Sequence, residues 1–320
     1  MACRLDDVID LIGAPLDHCG KRRGTRLGPA ALRLAGLTDV LRAQGIDVAD
    51  LGDLPVGNEA TVRGGLRNYE PALAFLKTLK ERVAASLEKG RCPLVVGGDH
   101  ALAMGSVAAA FEQYGDDLAV LWIDAHADLN TPGSSPSGNL HGMPLSLLSG
   151  MASGTDGLAD VQWRGLKDAL ARGGSLRPNR LAWLGLREVD DGEKAILRSW
   201  HGAFSSTMQD IDRGGLVATM TRLDFWLRET GAKALWVSFD VDSLDPVLAP
   251  GTGTAVRGGL TYRESHLCAE LLREQLDRSD AGYRLVGLDL VETNPLFDTN
   301  NQTATTAVEW IASLFGKTIL

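Results

Sequence analysis

The sequence predicts an α/β fold with a mostly parallel, buried central sheet. Three observations carry this. Several unbroken apolar runs, such as Leu118-Ala119-Val120-Leu121-Trp122-Ile123, read as strands buried on both faces. Each run is followed by a loop and then by a stretch with helical spacing. Four of the runs end at metal-ligand residue types, near His100, Asp124, Asp240 and Glu292, where parallel sheets gather their ligands.

Taken in order, residues 8–13 form a first buried strand. A loop with the basic triplet Lys21-Arg22-Arg23 follows, then Gly28-Pro29 opens a helix predicted to run to about Leu41, with proline at its preferred early position. The triplet reads as a solvated loop or, alternatively, as an anion or subunit contact. A short strand over 46–49 precedes a helix over 72–87. Residues 93–96 form the next strand and end in Gly97-Gly98-Asp99-His100, where two glycines permit a tight turn and close approach to a bound group. The strand over 118–123 ends in Asp124-Ala125-His126-Ala127-Asp128, followed by a polar loop over 131–142 suited to substrate contact. Residues 151–179 read as a variable surface excursion with one helix near 163–171. A strand over 181–186 leads into Arg187-Glu188-Val189-Asp190-Asp191-Gly192-Glu193, whose acidic residues suit a helix start. Helices over 216–229, 261–276 and 303–315 alternate with strands over 234–239 and 285–291.

Composition narrows the function. The net charge of −9 disfavours nucleic acid as a partner and is compatible with a cationic small molecule. Cys3, Cys19, Cys92 and Cys268 lack CxxC spacing, so neither a zinc knuckle nor a disulfide framework is signalled. No secretion signal is visible at the N-terminus, and no apolar run approaches the roughly 18 residues of a membrane span. These features predict a cytoplasmic chain that does not enter a membrane. The 320-residue length allows two domains or one large one.

His100, Asp124, His126, Asp128, Asp240 and Asp242 supply more ligands than one tetrahedral ion needs, so two divalent ions sharing carboxylates is the economical reading. The aspartates outnumber the charge that two such ions and one hydroxide would neutralise. The residual negative charge repels phosphate esters and attracts a cation such as a guanidinium.

These motifs, with Ser137-Gly138-Asn139-Leu140-His141-Gly142 and Ser238-Phe239-Asp240-Val241-Asp242-Ser243-Leu244-Asp245-Pro246, resemble those of the ureohydrolases, and within them the bacterial arginases. The resemblance extends from Ile12-Gly13-Ala14-Pro15 to Val291-Glu292-Thr293-Asn294-Pro295. It implies a single domain over 1–320, a three-layer α/β/α sandwich and two Mn²⁺ ions, with Co²⁺ or Ni²⁺ compatible with the same ligands. His100, Asp124, Asp128 and Asp240 would hold one ion; His126, Asp124, Asp240 and Asp242 would hold the other.

The resemblance further implies hydrolysis of L-arginine to L-ornithine and urea by a hydroxide shared between the ions. Asp242 would relay a proton, His141 would shuttle protons, and Glu292 would pair with the guanidinium. Asn130, Ser137 and Asn139 match positions that bind the α-carboxylate, Asp190 and Glu193 match those that meet the α-ammonium, and Thr254 matches one near the guanidinium. A homo-oligomer, trimer or hexamer, is also implied. Ala101 departs from the family's frequent serine without removing a ligand. Rival readings are another guanidino hydrolase, such as an agmatinase or guanidinobutyrase, a one-metal deacetylase of related fold, and a non-catalytic arginine sensor.

Overall fold

A computed structural model describes residues 8–318, so Cys3 and the N-terminal segment before Val8 lie outside it. Eight strands form one all-parallel sheet: β1 (Ile9–Gly13), β2 (Val48–Asp53), β3 (Cys92–Val96), β4 (Leu118–Ile123), β5 (Leu181–Leu186), β6 (Phe204–Thr207), β7 (Ala234–Asp240) and β8 (Arg284–Val291). Their spatial order is β2-β1-β3-β8-β7-β4-β5-β6. The last two strands in the chain are thus inserted between β3 and β4. This insertion makes neighbours of the four strand ends that carry His100, Glu292, Asp240 and Asp124.

Helices cover both faces, because alternate side chains of each central strand point to opposite sides. In β4, Ala119, Leu121 and Ile123 join one core, while Leu118, Val120 and Trp122 join the other. The first core is closed by α1 (Gly28–Leu34), α2 (Leu37–Ala43), α8 (Met208–Gly214), α9 (Leu216–Glu229), α10 (Tyr262–Asp277) and α11 (Gln302–Leu314). The second lies under α3 (Tyr69–Glu88), α4 (Ala103–Tyr114), α5 (Pro144–Leu148) and α6 (Leu158–Leu170), with α7 (Asp191–Ser199) packed at its rim. The sandwich has the three layers expected. No helix among the described residues is long and apolar enough to cross a membrane.

The structure corrects four details. The helix expected from Gly28 to Leu41 is two helices, broken where Gly36 adopts a left-handed backbone at φ 85°. The second strand starts at Val48 and extends to Asp53, beyond the expected 46–49. Residues 151–179 are no mere surface excursion, since Trp163, Leu166 and Leu170 of α6 are buried in the second core. Strand β6 and helix α8 were not anticipated: β6 is a short, partly exposed edge strand whose Phe204-Ser205-Ser206-Thr207 lacks an apolar run.

Candidate metal centre and substrate cleft

The carboxyl ends of β3, β8, β7 and β4 open into a cleft of about 320 Å³. A recess of about 690 Å³ beside α7 is larger and shares Glu188, but it holds none of the ligand-type clusters. The smaller cleft is therefore the candidate site. Its wall includes His100, His126, Asp128, Asn130, Ser137, Asn139, His141, Asp190, Glu193, Asp240, Asp242 and Thr254. Asp124 and Glu292, both buried, lie beneath that wall.

Backbone geometry delivers these side chains. Gly97 and Gly98 follow β3 with φ near 80°, and a Cβ on Gly98 would stand 2.2 Å from the Ala14 carbonyl oxygen. Only glycine fits there. Asp128 and Glu292 also hold left-handed conformations, at φ 51° and 61°, which non-glycine residues adopt at a cost in strain.

Two ligand groups emerge, each with its donor atoms within 4.8 Å of one another: His100, Asp124 and Asp240, and Asp124, His126 and Asp242. Asp124 belongs to both. His100 Nδ1 faces Asp124 Oδ2 at 3.0 Å, Asp240 Oδ2 at 3.1 Å and Asp128 Oδ2 at 3.3 Å. His126 Nδ1 lies 3.1 Å from Asp242 Oδ2 and 3.3 Å from Asp124 Oδ1. Despite its three acidic neighbours, the buried His100 Nδ1 makes no directed hydrogen bond. Several carboxylate oxygens gathered within a few ångströms of imidazole nitrogens suit coordination of a cation. The donor set, imidazole with carboxylate, fits divalent first-row ions.

Electrostatics point the same way. Burial raises Asp240 and Asp128 well above the ordinary carboxylate range, and neighbouring aspartates add to the rise. Burial would also raise Asp124, but the close imidazoles of His100 and His126 outweigh it and hold that group below its usual range. So many acids share one buried place that positive charge is needed to keep them ionised together.

Behind His100 lies a support that sequence reasoning missed. The ring stacks on Trp122 at 4.0 Å between centroids, and its Nε2 lies 2.9 Å from Ser238 Oγ. Ser238 reaches the buried Asp289 at 3.4 Å, and Asp289 Oδ2 also accepts from Ser106 at 3.0 Å and Trp236 Nε1 at 2.9 Å. If Ser238 donates to the carboxylate, its oxygen accepts from His100 Nε2–H, which leaves the Nδ1 lone pair facing the ligand cluster. The only signal in the sequence was spacing, since Trp236, Ser238 and Asp240 alternate onto one face of β7.

On the other side, His141 Nδ1 lies 3.0 Å from Glu292 Oε1, which also accepts from the His100 backbone N–H at 3.0 Å. Burial lowers the His141 pKa, but the bond to Glu292 and its charge prevail and raise it above the usual histidine value. Thr254 donates to Asp242 Oδ2 at 2.7 Å.

Asp190 and Glu193 serve two purposes. They form a capping box at the start of α7, as acidic residues at a helix N-terminus are expected to, while also lining the cleft. Glu193 further accepts from Leu129 N–H at 3.0 Å, and Asp190 accepts from Asn130 Nδ2 at 2.8 Å. Burial pushes the Glu193 carboxyl up to about 7.

The basic triplet divides. Lys21 lines the cleft, Arg22 sits 4.8 Å over the Phe297 ring, and Arg23 pairs with Asp17 and Glu59. Glu188 also lines the cleft and had been given no site role.

Comparison with known proteins agrees over nearly the full length. A profile described as the arginase family matches residues 7–316. An arginase of Staphylococcus aureus (strain MSSA476) is 41% identical over 318 residues, covering 98% of each chain. An arginase of Bacillus subtilis (strain 168) is 38% identical, covering 99% of this chain and 100% of its own. The native structure of arginase from Bacillus caldovelox superposes with a TM-score of 0.86 at 38% identity, covering 98% of this chain and all of that one.

Proposed function

The chain belongs to the arginase family, and from that premise we propose that it hydrolyses L-arginine to L-ornithine and urea with two Mn²⁺ ions. It is a hydrolase of linear amidines with a His/Asp metal-binding site. The observation that carries the reading is the pair of ligand groups joined through Asp124 at the floor of a cleft that also holds His141.

His100, Asp124, Asp128 and Asp240 would hold one ion, and His126, Asp124, Asp240 and Asp242 the other. The shared position of Asp124 supports this division. When bound, such ions supply water activation, lowering a coordinated water's pKa from 15.7 towards about 7.

The chain's own residues handle charge and protons. The acidic floor draws in the substrate's guanidinium, and Glu292 Oε2, which accepts no hydrogen bond among the described residues, is left to pair with it. Because Glu292 Oε1 engages His141 Nδ1, the other ring nitrogen is the one free to exchange protons with the cleft. A raised pKa keeps that ring protonated at higher pH than an ordinary histidine, which suits proton donation to the departing amine. Asp242, anchored by Thr254, is placed to relay a proton within the site. Asp190 and Glu193 face the substrate's α-ammonium, while Asn130, Ser137 and Asn139 meet its α-carboxylate. We place the enzyme in the cytoplasm as a single-domain chain assembled into a trimer or hexamer.

Stripping metal and adding back Mn²⁺, Co²⁺, Ni²⁺ or Zn²⁺ tests the reading by urea release from L-arginine, agmatine and 4-guanidinobutyrate. Mn²⁺ should restore release from L-arginine above the other two substrates. A metal-loaded enzyme that yields no urea from L-arginine, or prefers agmatine, overturns it.

A further inference from the structure

We propose that Arg67 is a specificity-determining positioning residue: it holds the Asn139 amide so that its NH₂ group faces the cleft, selecting guanidino substrates that carry a free carboxylate. The proposal rests on the L-arginine reading above. Arg67 Nη1 lies 3.0 Å from Asn139 Oδ1. A guanidinium only donates, so the amide oxygen must face Arg67 and the amide nitrogen must point away from it. Asn139 is itself buried in the cleft wall, which makes that nitrogen a fixed donor.

The neighbouring hydroxyl is arranged in the same sense. Ser137 Oγ accepts the Asn139 backbone N–H at 3.2 Å, which leaves its own proton to donate to the cleft or to Ser135 Oγ at 3.5 Å. Lys21 adds an ammonium with no ion-pair partner among the described residues. The cleft therefore offers donors and positive charge at Asn139, Ser137 and Lys21, and carboxylates at Asp190 and Glu193. An anionic group on a substrate is accepted by the first set and repelled by the second.

Arg67 is exposed, yet its backbone is held on both sides. Leu66 N–H donates to Gln162 Oε1 of α6 at 2.6 Å, and Asn68 Nδ2 donates to the His18 carbonyl at 2.7 Å. Arg67 also has no carboxylate partner among the described residues, so its charge is not spent on a salt bridge. A side chain anchored at its base, uncompensated in charge and bonded to a cleft-lining amide is built to orient that amide.

Steady-state kinetics of Arg67→Ala and Arg67→Gln on L-arginine and on L-argininamide, whose carboxylate is replaced by a neutral amide, test this. Loss of one charge-assisted contact should raise KM for L-arginine about tenfold in Arg67→Ala. The change should fall on KM rather than kcat and be several-fold smaller for L-argininamide. Arg67→Gln keeps a donor for Asn139 and should be intermediate. Equal losses on both substrates, or no change on either, overturn the proposal, and a kcat loss accompanied by a lower thermal midpoint overturns it in favour of a merely structural role. A wild-type enzyme inactive on L-arginine would instead sink the functional reading and this proposal with it.

Discussion

Asp124→Asn should abolish function, with metal content falling below two ions per chain and urea release dropping roughly a thousand-fold, the equivalent of about 4 kcal/mol of lost ion-derived stabilisation. Asp124 belongs to both of the ligand groups that the described residues form, and in the proposed division it bridges the two ions together with Asp240. Each of its oxygens also accepts a hydrogen bond: Oδ1 from the His126 backbone N–H at 2.7 Å, and Oδ2 from Trp122 Nε1 at 2.9 Å. An asparagine has one acceptor and one donor at these ends, so whichever way it turns, its NH₂ group meets another N–H. The substitution thus removes a charge shared by both ion positions and misaligns the carboxamide that replaces it. Elemental analysis of the purified variant, alongside urea release, checks this. A variant retaining two ions and near-normal turnover would show that Asp124 is not the shared ligand.

The candidate metal centre was legible in the sequence, as far as its two His/Asp groups go, because the physics that gathers them is local. Buried parallel strands need continuous apolar runs, so each strand end could be located and the ligand types at the ends read directly. Glycines at 97 and 98 are read from sequence as permitting a tight turn and close approach to a bound group; in the structure what stands close to them is the chain itself, Pro29 beside Gly97 and the Ala14 carbonyl beside Gly98. What could not be read was the order of the strands, since the insertion of β7 and β8 between β3 and β4 follows from packing between distant segments. The capping role of Asp190 and Glu193 and their place in the cleft looked like competing explanations in one dimension. The structure makes them compatible, because the helix that they cap points its N-terminus at the site. Arg67 and Asp289 were invisible for a different reason. Each matters through a partner far along the chain, Asn139 for one and Ser106 for the other, and neither partner's spacing marks the pair.

Asp289→Asn should separate stability from metal binding, raising one and lowering the other. Burial pushes the Asp289 carboxyl from 3.8 up to about 6, against the bonds from Trp236 and Ser106 that favour its charge. A carboxyl raised on folding stabilises the protein fully only below its unfolded pKa, and that contribution is lost as pH rises through about 6. Above this window the ionised group costs on the order of 3 kcal/mol. Asparagine escapes the cost and can still accept from Trp236, Ser106 and Ser238 through its single oxygen. Its NH₂ would stand where Oδ1 now has no partner, at a cost of about 1 kcal/mol. The chelated variant should therefore be more stable than the chelated wild type by about 2 kcal/mol at pH 8, with a smaller advantage at pH 5. In the same protein the neutral amide holds Ser238 less firmly against His100, and metal affinity should fall by about tenfold or more. Denaturant unfolding at both pH values and competition with a chelating dye measure the two effects separately. Unchanged metal affinity would show that His100 is oriented without Asp289, and a stability loss at both pH values would show that the buried charge is compensated in the fold.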